Sequence, residues 1–433
     1  MPTAIIENKM NDFPFRVYAV KTKPKQKKMK RILTTLLVSL MIMTGASAQK
    51  TELIDRGIPL YLADSFKLDS MYNYWNSFVT QHPKDNVAWR NLFEVCSNQE
   101  FRLRCKNWEA GIRYIRENTM PLLERIKNAL PGSYTAYYCE YEGSLTETTD
   151  RRELAADSAI VLLPKDAPAG DYELWTQYLI PKRDTVRIIN VLTQYYESGQ
   201  YPEESLQYHF NELQGMDEGG VYIAPHPGEM VGKLILQHVL GVHKDKILYD
   251  EDAAMTPEYV KDVFGHIGIP FNDDVWNQLW TTLQDKTLTA IMRYIFDHSK
   301  RPVYLSAHDM WQYIIGEGLP DELKACLYNE GLTMRYSTKP YDNRAVKRRN
   351  IEQRYRLEYL RMQFHPEKKN TQRFSGSAEA YAMNYMRLLR DQLPYYKQHN
   401  KERYQWLCDI FRDVISQLEK KNYDVDEFKD YLK

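Results

Sequence analysis

The 433-residue chain carries 58 Lys plus Arg against 58 Asp plus Glu, so no global field favours nucleic acid or an anionic membrane surface. Nucleic acid is therefore not an expected partner. Five cysteines, an odd number in so long a chain, argue against a disulfide framework, and none shows the Cys/His spacing of a zinc site.

Residues 1–28 are polar and Lys-rich (Lys21, Lys23, Lys25, Lys27, Lys28) and read as a mis-assigned leader, with translation starting at Met29. Met29-Lys30-Arg31, an apolar run from Ile32 to Met43 and Ala46-Ser47-Ala48 then form a signal peptide over residues 29–48. About a dozen apolar residues are too few to span a bilayer. Cleavage near Ala48 is expected to deliver a periplasmic or secreted protein without a transmembrane segment.

Residues 49–215 read as a helical domain built from hairpins. At His82-Pro83-Lys84-Asp85-Asn86 one helix must end, because Pro cannot sit in a helix interior, and Asp or Asn caps the next start. Similar punctuation recurs at Leu130-Pro131-Gly132-Ser133 and at Leu163-Pro164-Lys165-Asp166, and Glu197-Ser198-Gly199-Gln200 reads as a further turn. Pro131 and Pro164 are 33 residues apart, close to the period of about 34 in tetratricopeptide repeats, although Pro83 to Pro131 is 48. Cys96 and Cys105, placed across a predicted helix-helix turn, are either a local disulfide or two free thiols. The 33 tyrosines, at helical spacing, point mainly to packing.

A small α/β domain is expected over residues 216–340. Val221-Tyr222-Ile223-Ala224, Lys246-Ile247-Leu248-Tyr249 and Pro302-Val303-Tyr304-Leu305 read as strands, with Leu332 to Tyr336 as a possible fourth. Helices are predicted between them at 229–240, from Thr256-Pro257-Glu258 onward with Thr256 as cap, at 273–298, 310–315 and 321–329. Strands alternating with helices imply crossovers and a parallel sheet. A C-terminal helical segment, 341–433, follows with helices at 348–362, 377–397 and 401–420. The fold class is thus mainly α with a small α/β part: tetratricopeptide-like helical hairpins flanking a short three- to four-stranded parallel sheet.

His298-Ser299-Lys300-Arg301-Pro302-Val303-Tyr304-Leu305 and Tyr328-Asn329-Glu330-Gly331-Leu332-Thr333-Met334-Arg335 carry a resemblance. With the strand-helix-strand order of Val221 to Tyr249, residues 190–415 resemble the soluble C-terminal region of a Bacteroidetes multi-spanning membrane protein family related to protein O-mannosyltransferases. The membrane-embedded part that would hold mannosyltransferase chemistry has no counterpart here, so the resemblance does not imply that activity. After the first strand the family's Asn-Gly-Asp-Asn-Asp is replaced by Pro225-His226-Pro227-Gly228-Glu229.

In open parallel sheets ligands bind at the carboxyl edge, where loops converge. That rule nominates His226 and Glu229, then Asp250, Glu251 and Asp252, then His308 and Asp309. His226, Glu229, His308 and Asp309 form a candidate acid/base set, and His226, Glu229, Asp250 and His308 a candidate metal set. Capping and turn formation explain the same residues without a site. No HExxH, GxSxG, GxxxxGK or GxGxxG motif adds specificity, and no cofactor is indicated. His238 and His243 flank a helix end, and the Arg344 to Arg361 run reads as a solvated, ion-paired face. Two functions are expected: an exported, non-catalytic helical-repeat protein that binds a protein partner in the cell envelope, or a metal- or acid/base-dependent enzyme acting on a glycan or envelope component.

Overall fold

Proline and polar caps divide the first half of the chain, and helices fill the intervals. The computed structural model describes residues 52–54, 65–143, 149–224, 228–283, 287–307, 321–362 and 378–433. Helix α1 (Ser65–Gln81) ends before Pro83, and α2 (Asn86–Lys106) starts on Asp85, whose carboxylate accepts from the Ala88 N–H at 2.9 Å. The Trp89 indole donates to the Pro83 carbonyl at 2.9 Å and closes the turn. Cys96 and Cys105 both lie on α2, so no turn separates them and both are free. Nine residues of helix span about 13 Å, beyond disulfide reach.

Helix α3 (Trp108–Tyr114) passes through a π-turn into α4 (Met120–Ala129). Hairpins α5 (Tyr134–Gly143) with α6 (Thr149–Val161) and α7 (Ala169–Leu179) with α8 (Thr185–Glu197) follow, and then α9 (Glu203–Gly215). Tyrosines fill the interior: Tyr138 meets Phe93 and Trp175 edge to face, and Tyr172 stacks on Tyr195 at 5.1 Å. Buried Arg90 lies 3.2 Å from the Tyr138 ring centre and pairs with Asp171 at 2.7 Å. That pairing lets an ionised guanidinium stay out of water.

Strand β1 (Val221–Ala224) leads into α10 (Gly228–Leu234), β2 (Ile247–Asp250), α11 (Pro257–Ile267), α12 (Asp273–Leu283), α13 (Thr287–His298) and β3 (Val303–Ser306). A single turn, α14 (Asp321–Lys324), precedes β4 (Leu327–Asn329) and β5 (Thr333–Tyr336). The sheet has five strands in the order β2-β1-β3-β5-β4. β1 pairs in parallel with β2 (Ile223 opposite Tyr249) and with β3 (Tyr222 opposite Tyr304).

The expected all-parallel sheet of three or four strands is corrected to a mixed one, because β5 runs antiparallel to both β3 and β4. Only Glu330, Gly331 and Leu332 separate β4 from β5, too few for the crossover a parallel pair requires. The helix expected over 321–329 therefore stops after one turn and gives way to β4. The helix expected over 273–298 is two, and Thr256 stands before α11 without a side-chain capping bond.

The C-terminal part comprises α15 (Asn343–Arg349), α16 (Ala378–Leu389), α17 (Leu393–His399), α18 (Lys401–Lys420) and α19 (Asp426–Asp430). The helix expected over 348–362 breaks at Tyr355, whose backbone is extended and whose hydroxyl accepts from the Leu332 N–H at 3.0 Å. Gly331 has φ +123°, and a Cβ there would meet that hydroxyl at 2.4 Å, so only glycine admits the contact.

Residues Glu52–Lys433 form one compact unit in which helices and sheet share a core. The fold is mainly α with a small α/β part. Among the described residues no helix is long and apolar enough to cross a membrane. The expected leader and signal peptide, residues 1–48, and the helix expected at 310–315 lie outside the described residues.

Candidate functional site

Every residue of α10 is buried, including Glu229 and Lys233, which stand one helical turn apart and face α9. The close approach depends on Gly232, where a Cβ would lie 2.3 Å from both His209 Cδ2 and the Tyr201 hydroxyl. From α9 come His209 and Glu212, also on one face at i,i+3. β1 adds Tyr222, and α16 adds Tyr381.

Lys233 Nζ is the centre of this cluster. It lies 2.7 Å from Glu212 Oε2, 2.9 Å from Glu229 Oε2, 3.0 Å from the Glu229 carbonyl and 2.9 Å from His209 Nδ1. An ammonium has three protons for these four neighbours. His209 Nδ1 is also 2.8 Å from Glu212 Oε2, and His209 Nε2 is 3.2 Å from the Tyr381 hydroxyl. The arrangement that satisfies every donor gives the ammonium protons to the three oxygens. The Nδ1 proton then goes to Glu212, and Nε2 accepts from Tyr381. The Tyr222 hydroxyl bridges Glu212 Oε1 and Glu229 Oε2, each at 3.1 Å.

His209, Glu212 and Glu229 could offer three metal ligands, since their donor atoms all lie within 4.8 Å of one another. The Lys233 ammonium already stands among those atoms. Burial alone lowers its pKa, but the charges of Glu212 and Glu229 outweigh that and raise it, so the ammonium keeps its proton. With the cation position filled from within and Lys233 fully buried, the cluster ties α9, α10 and β1 together. None of His209, Glu212, Lys233 or Tyr222 was nominated from sequence. Their signal was the pairing of His209 with Glu212 and of Glu229 with Lys233 on helices that flank a buried strand.

The carboxyl edge holds a second group of acids. Asp250 Oδ1 accepts from the Asp252 N–H at 2.9 Å, and the Asp250 N–H donates to the Tyr259 hydroxyl at 2.7 Å. Glu251 continues the strand by donating its N–H to the Ala224 carbonyl at 3.0 Å. Among the described residues its buried Oε1 has no hydrogen-bond partner. Burial first, then the charges of Asp250 and Asp252, push its pKa well above the ordinary 4.5, so it holds a proton where a solvated Glu is ionised.

Of the nominated residues, Glu229 is engaged with Lys233, and Asp250 shapes the turn after β2. His226, His308 and Asp309 lie outside the described residues. The crossovers from β1 and from β2 leave in opposite directions, which puts the switch point between β1 and β3. His238 and His243 are pulled below their ordinary pKa by burial and then by neighbouring cations, Arg183 and Lys244 for one and Lys246 for the other. The Arg344 to Arg361 run is more engaged than a solvated face: Lys347 is buried against Asp391 at 2.8 Å, and Arg354 donates to the Gly215 carbonyl at 2.9 Å.

Lys233→Met leaves two buried carboxylates without their cation and should cost about 3–5 kcal/mol in urea unfolding. Adding Glu229→Gln should restore part of that loss, and an additive double mutant would disprove the coupling. For Glu251 the folded pKa is raised, so its contribution to stability is fully present below 4.5 and is lost as pH rises through the folded value. Unfolding at a series of pH values should therefore show Glu251→Gln gaining on the wild type as pH increases. A difference independent of pH would contradict this assignment. The chain matches no protein-family model and no curated protein.

Proposed function

We propose that the protein is an exported helical scaffold that binds a protein partner in the cell envelope and is itself non-catalytic. The observation that carries this reading is a set of apolar side chains turned to solvent on the hairpin helices. Leu154 and Val161, seven residues apart on one face of α6, are 69% and 81% exposed, and Val186 in the first turn of α8 is 71% exposed. The two helices are tied by Arg187 to Asp157 at 2.5 Å, and Lys182 pairs with Glu153 at 2.9 Å, so ion pairs stand beside these apolar side chains. Apolar side chains ringed by charge are the composition of a protein-binding surface. The tetratricopeptide-like hairpins supply the scaffold, and the signal peptide read at residues 29–48 supplies the envelope setting.

A photo-crosslinking residue at Val161, used in the producing cell, should yield a discrete adduct that the same residue at exposed Lys401 does not. Leu154→Asp should reduce that adduct severalfold. Equal labelling at both positions would remove the basis for the reading.

A second reading, an acid/base enzyme acting on an envelope glycan, is favoured by the place of Glu251 at the carboxyl edge of the sheet, where burial and then the charges of Asp250 and Asp252 favour the protonated form that a general acid uses. Purified protein incubated with envelope glycan fragments should then release new reducing ends, and Glu251→Gln should not. No release from the wild type would dismiss the enzyme.

A further inference from the structure

The amino-terminal end of the sheet carries a different charge. Asp217, in the loop that enters β1, faces three guanidiniums: Arg335 from β5 at 2.9 Å, Arg349 from α15 at 3.7 Å and Arg354 from the turn after it at 3.7 Å. Only the Arg335 contact is a hydrogen bond. The others are held near Asp217 by their own elements, Arg354 through its bond to the Gly215 carbonyl. Buried Glu330 lies 3.8 Å from Arg335, accepts from the Tyr341 hydroxyl at 2.7 Å and, among the described residues, has no partner for Oε2. Among the described residues Arg349 Nε is likewise buried and without a partner.

The charge count does not close. Lys246 and Asp245 neutralise each other at 2.5 Å. Around Asp217 there remain Arg335, Arg349, Arg354 and Arg301, which donates to the Gly219 carbonyl, against Asp217, Glu330 and exposed Glu218. One positive charge is in excess with every carboxyl ionised. Burial raises the pKa of Glu330, which enlarges the excess as pH falls. Guanidiniums arriving from three elements and sharing one carboxylate leave N–H donors for another oxyanion.

We propose that Arg335, Arg349 and Arg354 form a binding site for a phosphate group. A carboxylate offers two coplanar oxygens and one charge, which Asp217 already supplies. Phosphate offers tetrahedral oxygens and a second charge, matching donors that converge from separate directions. The same group could be borne by a soluble phosphate monoester or by a lipid headgroup.

Titration calorimetry of the purified protein with inorganic phosphate should give saturable binding. Arg349→Gln, whose side chain is 40% exposed and makes one distant pair, should keep its fold and weaken binding about tenfold. Asp217→Asn removes the competing carboxylate and should tighten binding about threefold. A merely structural role for the cluster predicts no gain from that change. Glycerol 3-phosphate and phosphatidylglycerol vesicles then distinguish the sources: Arg349-dependent binding to vesicles alone identifies a headgroup, and binding to glycerol 3-phosphate identifies a soluble ester. No saturable heat with phosphate in wild type or Asp217→Asn, or unchanged binding in Arg349→Gln, overturns the proposal.

Discussion

The structure turns on one buried ammonium. Lys233 joins the helix that follows β1 to the helix that precedes it through Glu212 at 2.7 Å, and Glu229 of its own helix shares the charge at 2.9 Å. Removing these ions from water costs several kcal/mol each, and their mutual attraction recovers that only when the geometry is closed. Here it is closed by Tyr222 and His209, and Gly232 brings α10 close enough for the contacts to form. The cluster thereby specifies the seating of α10 on α9, which apolar side chains alone would define less sharply.

α9 transmits that seating to the rest of the chain. Its Asn211 accepts from the Arg356 N–H at 2.9 Å and donates to the Tyr385 hydroxyl at 2.7 Å, while Tyr208 stacks on Tyr381 at 4.4 Å. One helix thus contacts the sheet domain through its charged face and the C-terminal helices through its amide and aromatic face. Since both faces are buried, substitutions along α9 act on all three parts together.

The sheet presents two chemically different ends. At the carboxyl end burial first, and then the neighbouring charges of Asp250 and Asp252, favour the protonated form of Glu251. At the amino end guanidiniums outnumber the carboxyls that face them, because the β4-β5 hairpin and α15 bring Arg335 and Arg349 to the entrance of β1. The antiparallel hairpin is what makes this possible. A parallel fourth strand would have carried Arg335 to the opposite end.

Local chemistry in the sequence was enough to place most helix starts and the three parallel strands. Asp85 and Pro257 open helices for reasons contained within a few residues, and the apolar runs at Val221, Ile247 and Val303 are strands because their side chains are buried on both faces. Signals of that range do not specify direction or partner. The Asn329-Glu330-Gly331 turn became antiparallel through its short length and through Tyr355, which sits 23 residues away from the N–H it binds. The Lys233 cluster depends on contacts between residues 21 and 24 positions apart, and the Asp217 cluster on contacts over more than 100, distances at which no periodicity operates. Caps and hydrophobic spacing act locally, and so they mark most helix starts and the apolar faces before any packing is known. Which charges meet is settled by the packing of distant segments, because burial and electrostatic pairing operate between residues far apart in the chain.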